Sequence, residues 1–184
     1  MGVHRGGATV RMKVETGLKL GIACCLVLLA YGVVSALRTP VVNVNDTAPD
    51  FTITTDDGRT ISRSNFGGRL LVLNFWATWC PPCIEEMPSL DRFQKQFAGS
   101  GVVVLGVSVD RDANAYRRFL ERARVSFLTA RDPEARISSR YGTFKFPETY
   151  VIDRRGRVRE KIIGPADWTE ATMVERVRRL LEES

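Results

Sequence analysis

Histidine is nearly missing from this chain. The single one, His4, precedes a long apolar run, so the folded part has no imidazole. That removes a His-assisted cysteine hydrolase, which needs a base beside its thiol. Cysteine is sparse as well, with four residues in two pairs, Cys24–Cys25 and Cys80–Cys83. A secreted scaffold stapled by several bridges is therefore excluded. Zinc usually takes four ligands, and one close pair cannot supply them. A strong charge of one sign is absent from the body of the chain. The first nineteen residues hold Arg5, Arg11, Lys13 and Lys19 against Glu15, half of the net charge of +6. The remaining basic residues are mostly arginines and scattered, so no nucleic-acid patch is expected. No repeat or low-complexity segment is visible.

What is present begins with an uncharged stretch from Leu20 to Leu37. As a helix it would extend about 27 Å, close to the thickness of the bilayer hydrocarbon. Basic residues precede it and Arg38 alone follows closely. The positive-inside tendency then leaves residues 1–19 cytoplasmic and 38–184 outside. The rival reading is a cleaved signal peptide, with Val34-Ser35-Ala36 as the small-residue site, but the run exceeds the usual ~7–15-residue core of such peptides. The expected organisation is a cytoplasmic segment 1–19, a membrane anchor 20–37, a tether 38–47 and a folded domain 48–184. Cys24 and Cys25 are read as small apolar side chains facing lipid.

Within the domain, Phe51–Thr54 and Arg59–Ile61 flank Asp57-Gly58, the pattern of a β-hairpin. Arg69–Phe75 and Val102–Val109 are apolar runs expected as strands buried on both faces. Between them, Pro82–Phe97 has helical spacing, with Ile84, Met87, Leu90, Phe93 and Phe97 on one stripe. Helices are predicted over Ala113–Ala123 and Glu134–Tyr141, strands over Thr149–Ile152 and Val158–Ile163, and a closing amphipathic helix over Thr169–Glu182. The order predicts an α/β fold: a mixed β-sheet flanked by helices, extended by an N-terminal hairpin.

The dithiol Cys80–Cys83 falls between a buried strand and the first turn of a helix. Free N–H groups and the helix dipole favour an anion there, which lowers a thiol's pKa from ~8.5 toward ~3.5–7.5. Cys83, one turn further in, faces the same way and can resolve a mixed disulfide. Pro81 and Pro82 stiffen the loop, and a proline fits the first helical turn without losing a bond. A purely structural disulfide would close too small a loop to stabilise much. Redox chemistry is the expected reading.

Asn74-Phe-Trp-Ala-Thr-Trp-Cys-Pro-Pro-Cys83, followed by Glu86-Met87-Pro88, resembles the active-site segment of thioredoxins. It is closer to the TlpA/ResA/CcmG group of membrane-anchored thioredoxin-like proteins. Phe146-Pro147-Glu148-Thr149-Tyr150-Val151-Ile152-Asp153 resembles that group's cis-proline segment. The resemblance covers about residues 46–184 and the N-terminal anchor. It implies a thioredoxin-like fold and a cis Phe146–Pro147 peptide against the dithiol, where backbone pairs with the substrate. It also implies a carboxyl at Glu86 that exchanges a proton during attack by Cys83. Asn74 departs from the cytoplasmic thioredoxin pattern, which has a buried aspartate there, so proton handling shifts toward Glu86. Catalytic roles are therefore expected for Cys80, Cys83 and Glu86, and substrate contact for Trp79, Pro81, Pro82, Phe146 and Pro147. Trp76 is expected in the core and Trp79 on the rim.

The implied activity is thiol–disulfide exchange at the periplasmic or extracytoplasmic face of a membrane. Client proteins carry the disulfides, a membrane reductant regenerates the dithiol, and apocytochrome c is a client the resemblance suggests. No cofactor and no metal is expected. Two alternatives come from other classes. Peroxiredoxins share the fold but place a threonine three residues before the reactive cysteine, where Ala77 stands here. Copper chaperones of similar topology use a Cys-x-x-x-Cys pair and a distal histidine, and neither is present.

Overall fold

A computed structural model of the chain describes residues 7–37 and 41–183, with side chains described at 17–33 and 41–183. It divides into two units. The first is a single helix, α1 (Gly7–Leu37), whose apolar residues follow no single stripe and which carries charges only in its first half. Its described side chains are exposed, among them Leu20, Ile22, Leu26, Leu28 and Leu29. Among the residues described in full, no stretch is long and apolar enough to cross a membrane. The expected anchor runs on to Leu37, past the last of those side chains. Residues 1–6 of the expected cytoplasmic segment and 38–40 of the expected tether lie outside the described residues.

The second unit holds β1 (Thr52–Thr54), β2 (Thr60–Ser62), β3 (Leu70–Trp76), α2 (Pro81–Gln96), β4 (Val102–Ser108) and α3 (Ala113–Ala123). These are followed by β5 (Leu128–Arg131), α4 (Arg136–Tyr141), β6 (Glu148–Asp153), β7 (Val158–Ile163) and α5 (Ala171–Glu182). β1 and β2 form the expected hairpin as a separate antiparallel pair. The main sheet has the order β5-β4-β3-β6-β7, with β3, β4 and β5 parallel and β6 and β7 antiparallel to them. This is the mixed sheet flanked by helices that the element order implied.

Every residue of β3 is buried, as an apolar run in the middle of a two-sided sheet must be. One face carries Leu70, Val72 and Val104 against Leu90 and Phe93 of α2, Tyr116 of α3 and Val174 and Val177 of α5. The other carries Leu71, Leu73 and Phe75 against Ile137 and Tyr141 of α4 and the N-terminal segment through Val42 and Phe51. That segment is joined to the sheet edge: Asn45 N–H donates to the Val158 carbonyl at 2.8 Å, and Thr47 bridges to Arg157.

Two expectations need correction. The sequence reading missed β5, a four-residue strand that exists through its pairing with β4. Four residues are too few for alternation to show. Ile84 was placed on the buried stripe of α2, but it is 37 % exposed, on the rim of a groove between α2 and α3.

Candidate active site

β3 ends at Trp76, four residues follow, and α2 begins at Pro81. Cys80 is the N-cap of that helix, in an extended conformation, with Pro81 and Pro82 opening the first turn. Cys80 and Cys83 are joined in a disulfide. The Cys83 N–H is shared between the Cys80 carbonyl at 3.1 Å and Cys80 Sγ at 3.3 Å, so a donor of the helix start already reaches the first sulfur. Cys80 is 5 % exposed and Cys83 is 0 % exposed. That difference makes Cys80 the sulfur an incoming thiolate can reach.

One turn beyond Cys83 lies Glu86, buried, whereas its neighbour Glu85 is exposed. Asn74 on β3 donates from Nδ2 to Glu86 Oε1 at 2.7 Å and to Thr149 Oγ1 on β6 at 2.8 Å. The Ala166 N–H donates to Glu86 Oε2 at 3.1 Å. Burial pushes the Glu86 carboxyl above its ordinary range, and the bonds from Ala166 and Asn74 hold it back. A carboxyl raised in this way is suited to carrying and releasing a proton. A cleft of about 330 Å³ reaches it past Pro88, Pro165 and Asp167.

Phe146–Pro147 is a cis peptide, as the resemblance implied. Glu148 pairs with Phe75, so Pro147 lies level with Trp76 where β3 gives way to the dithiol loop. The Phe146 ring meets the exposed Trp79 edge-on at 6.0 Å. Pro81 is exposed, Pro82 and Phe146 are half-buried, and Trp76 is wholly buried. Trp79 and Phe146 border a cleft of about 580 Å³ that continues along Thr78, Asp110, Arg111, Asp112 and Glu134. Among the described residues no group of three or more His, Cys, Asp or Glu side chains is arranged to hold a metal ion.

Sequence reasoning missed several groups here. Asp110, just beyond β4, accepts from Thr78 in the dithiol loop. Its signal was a lone acid closing an apolar run, Val-Val-Val-Leu-Gly-Val-Ser-Val-Asp. Thr149 and Ala166 were also missed, because only the folded chain brings them to Asn74 and Glu86.

The chain matches the AhpC/TSA family over residues 44–161. It is 34% identical over 158 residues to the thiol-disulfide oxidoreductase ResA of Geobacillus kaustophilus, covering 83% of this chain and 91% of that protein. Identity to ResA of Bacillus subtilis is 30% over 154 residues, covering 84% and 86% respectively. A solved structure from Chlorobium tepidum, described as a thiol:disulfide interchange protein DsbE, shares 27% identity and a TM-score of 0.70, covering 76% of this chain and 99% of that one. Identity running through the whole folded domain, with a bonded Cys80–Cys83 pair at the head of α2, makes this chain a member of the AhpC/TSA family and a thiol–disulfide oxidoreductase of thioredoxin-like fold.

Proposed function

We propose that this oxidoreductase reduces client disulfides on the outer side of a membrane, with Cys80 as the attacking sulfur and Cys83 as the resolving one. The observation that carries the reading is the Cys83 N–H reaching Cys80 Sγ, combined with the small residual exposure that Cys80 keeps and Cys83 lacks. In the reduced protein the Cys80 thiolate attacks one sulfur of a client disulfide. The client S–S bond breaks, its other sulfur leaves as a thiolate, and a Cys80–client mixed disulfide forms. Cys83 then loses its proton, with Glu86 as the acceptor, and attacks Cys80 Sγ. The second client sulfur leaves, two electrons have passed to the client, and Cys80–Cys83 is the oxidised pair. A dithiol reductant in the membrane returns the two electrons by the same exchange in reverse.

Trp79, Pro81, Pro82, Phe146 and Pro147 form the surface that receives the client chain, around the exposed face of Cys80. Residues 20–37 anchor the enzyme, residues 1–19 are cytoplasmic and the catalytic domain is extracytoplasmic. The charge asymmetry around the uncharged run Leu20–Leu37, and the lack of a single apolar stripe in α1, support this. Anchoring raises the effective concentration at membrane-bound partners. Apocytochrome c, with its pair of haem-binding cysteines, is the client class that the family resemblance favours.

Reduction of insulin disulfides and of an oxidised apocytochrome c, compared between the unaltered protein and Cys80→Ala, tests the chemistry. Turnover that survives the substitution defeats the assignment. Alkaline carbonate extraction of membranes tests the anchor, and release into the supernatant defeats it.

A further inference from the structure

Asp110 is a buried carboxylate that thiol exchange as described above does not use. It is 2 % exposed and lies just past the end of β4, beneath the loop that carries the dithiol. Oδ2 accepts from the Thr78 N–H at 2.9 Å and from Ser108 Oγ at 2.6 Å, and Oδ1 accepts from Thr78 Oγ1 at 2.7 Å. Two of the three bonds therefore come from one residue, two positions before Cys80. The same loop is tied at its ends by Val109 N–H to the Trp76 carbonyl at 3.0 Å and Cys80 N–H to the Ala77 carbonyl at 3.2 Å. Thr78 is the only side chain of the loop bonded to the neighbouring strand end among the described residues.

The charge is as important as the geometry. Arg131 reaches only the backbone carbonyls of Asp110 and Arg111, each at 3.2 Å. Among the described residues no cationic side chain forms an ion pair with the Asp110 carboxylate. Other charged groups at this end of the sheet include Arg111, Asp112 and Glu134 along the cleft, Asp132 beside Ser108, Glu148 opposite Phe75, and Glu86 one turn along α2 from Cys83. A thiolate at Cys80 therefore stands between two opposed influences: the helix start that favours it, and the Asp110 carboxylate, bonded to the loop two residues earlier, that disfavours it.

We infer that Asp110 is a positioning residue for the dithiol. Through Thr78 it fixes the segment that presents Trp79 and Cys80. Its negative charge also limits the stabilisation of the Cys80 thiolate, which biases the pair toward donating electrons. The bias follows from exchange thermodynamics: a less stabilised thiolate means a less stabilised reduced form and a more reducing couple. This rests on the reading of Cys80 as the attacking sulfur.

The test uses the reduced full-length protein and follows thiolate ultraviolet absorbance against pH, with the redox equilibrium against glutathione measured in parallel. Asp110→Asn keeps the shape and removes the charge. It is expected to lower the thiolate midpoint by about one pH unit, roughly a tenfold gain in thiolate below the midpoint. The glutathione equilibrium is expected to move toward the reduced protein. A midpoint equal to that of the unaltered protein overturns the inference. Thr78→Val keeps the charge and removes a bond to it, so it leaves the midpoint in place and lowers kcat/KM for insulin by about tenfold, with Thr78→Ser restoring it. If Asp110→Asn does not fold, this pair decides, and a Thr78→Val protein as active as the unaltered one overturns the inference. Cys80→Ala separates the underlying reading: an unchanged thiolate titration in that variant shows that Cys80 is not the ionising sulfur and defeats the catalytic assignment itself.

Discussion

Asn74 on β3 donates a hydrogen bond of 2.7 Å to Glu86 on α2, and both side chains are buried. An amide at Asn74 cannot titrate. The pair therefore joins one group that holds its position to one that can exchange a proton, one turn beyond Cys83.

That pairing gives the protein a signed dependence of stability on pH. Glu86 is raised from an ordinary value of 4.5 by burial, so the folded state holds its proton over a range where the unfolded chain has lost it. The contribution is full below the unfolded value and is lost as pH rises through the folded one. Glu86→Gln should remove this loss and flatten the pH dependence of unfolding free energy across that window. Urea unfolding at a series of pH values measures it. Parallel curves for the two proteins would refute the placement of the proton.

On the proposed assignment, replacing Cys83 with alanine leaves Cys80 without its resolving partner. Mixed disulfides between Cys80 and a client should then accumulate and appear as adducts in non-reducing gels and intact-mass spectra. Cys80→Ala should trap none. Adducts on Cys83 in a Cys80→Ala protein would reverse the assignment of the two sulfurs.

Gly106 of β4 lies against the tryptophan that begins the dithiol loop. A Cβ added there would stand 2.9 Å from Phe127 Cε2 and 3.1 Å from Trp76 Nε1. Gly106→Ala should cost about 1–3 kcal/mol through overpacking. The urea midpoint reads this directly, and an unchanged midpoint would show that both rings can move aside freely.

Peroxide is expected to be a poor substrate. Thr78 is one position away from where peroxiredoxins carry their threonine, and its hydroxyl is directed to Asp110 at 2.7 Å. Stopped-flow mixing of the reduced protein with hydrogen peroxide should show consumption far slower than insulin reduction. A fast stoichiometric phase would place the chain with the peroxidases.

The helix stripe at Met87, Leu90, Phe93 and Phe97 was legible because it repeats every three to four residues, and the strand at Leu70–Trp76 because it is apolar throughout. Ile84 fits the same helical period and still escapes burial, since the period fixes a face but not how far the neighbouring elements extend over it. β5 was illegible because four residues carry no period; only the edge of β4 makes them a strand.

At the site, the sequence alone determined the dithiol, its place at a helix start and the prolines behind it, because these depend on residues within one turn of each other. The tertiary structure decided which groups stand around it. Asn74 meets Glu86 across 12 residues of chain, Thr78 meets Asp110 across 32, and Asn74 meets Thr149 across 75. Those contacts are set by strand register and by the packing of α2 on the sheet. No local rule of propensity or spacing encodes them.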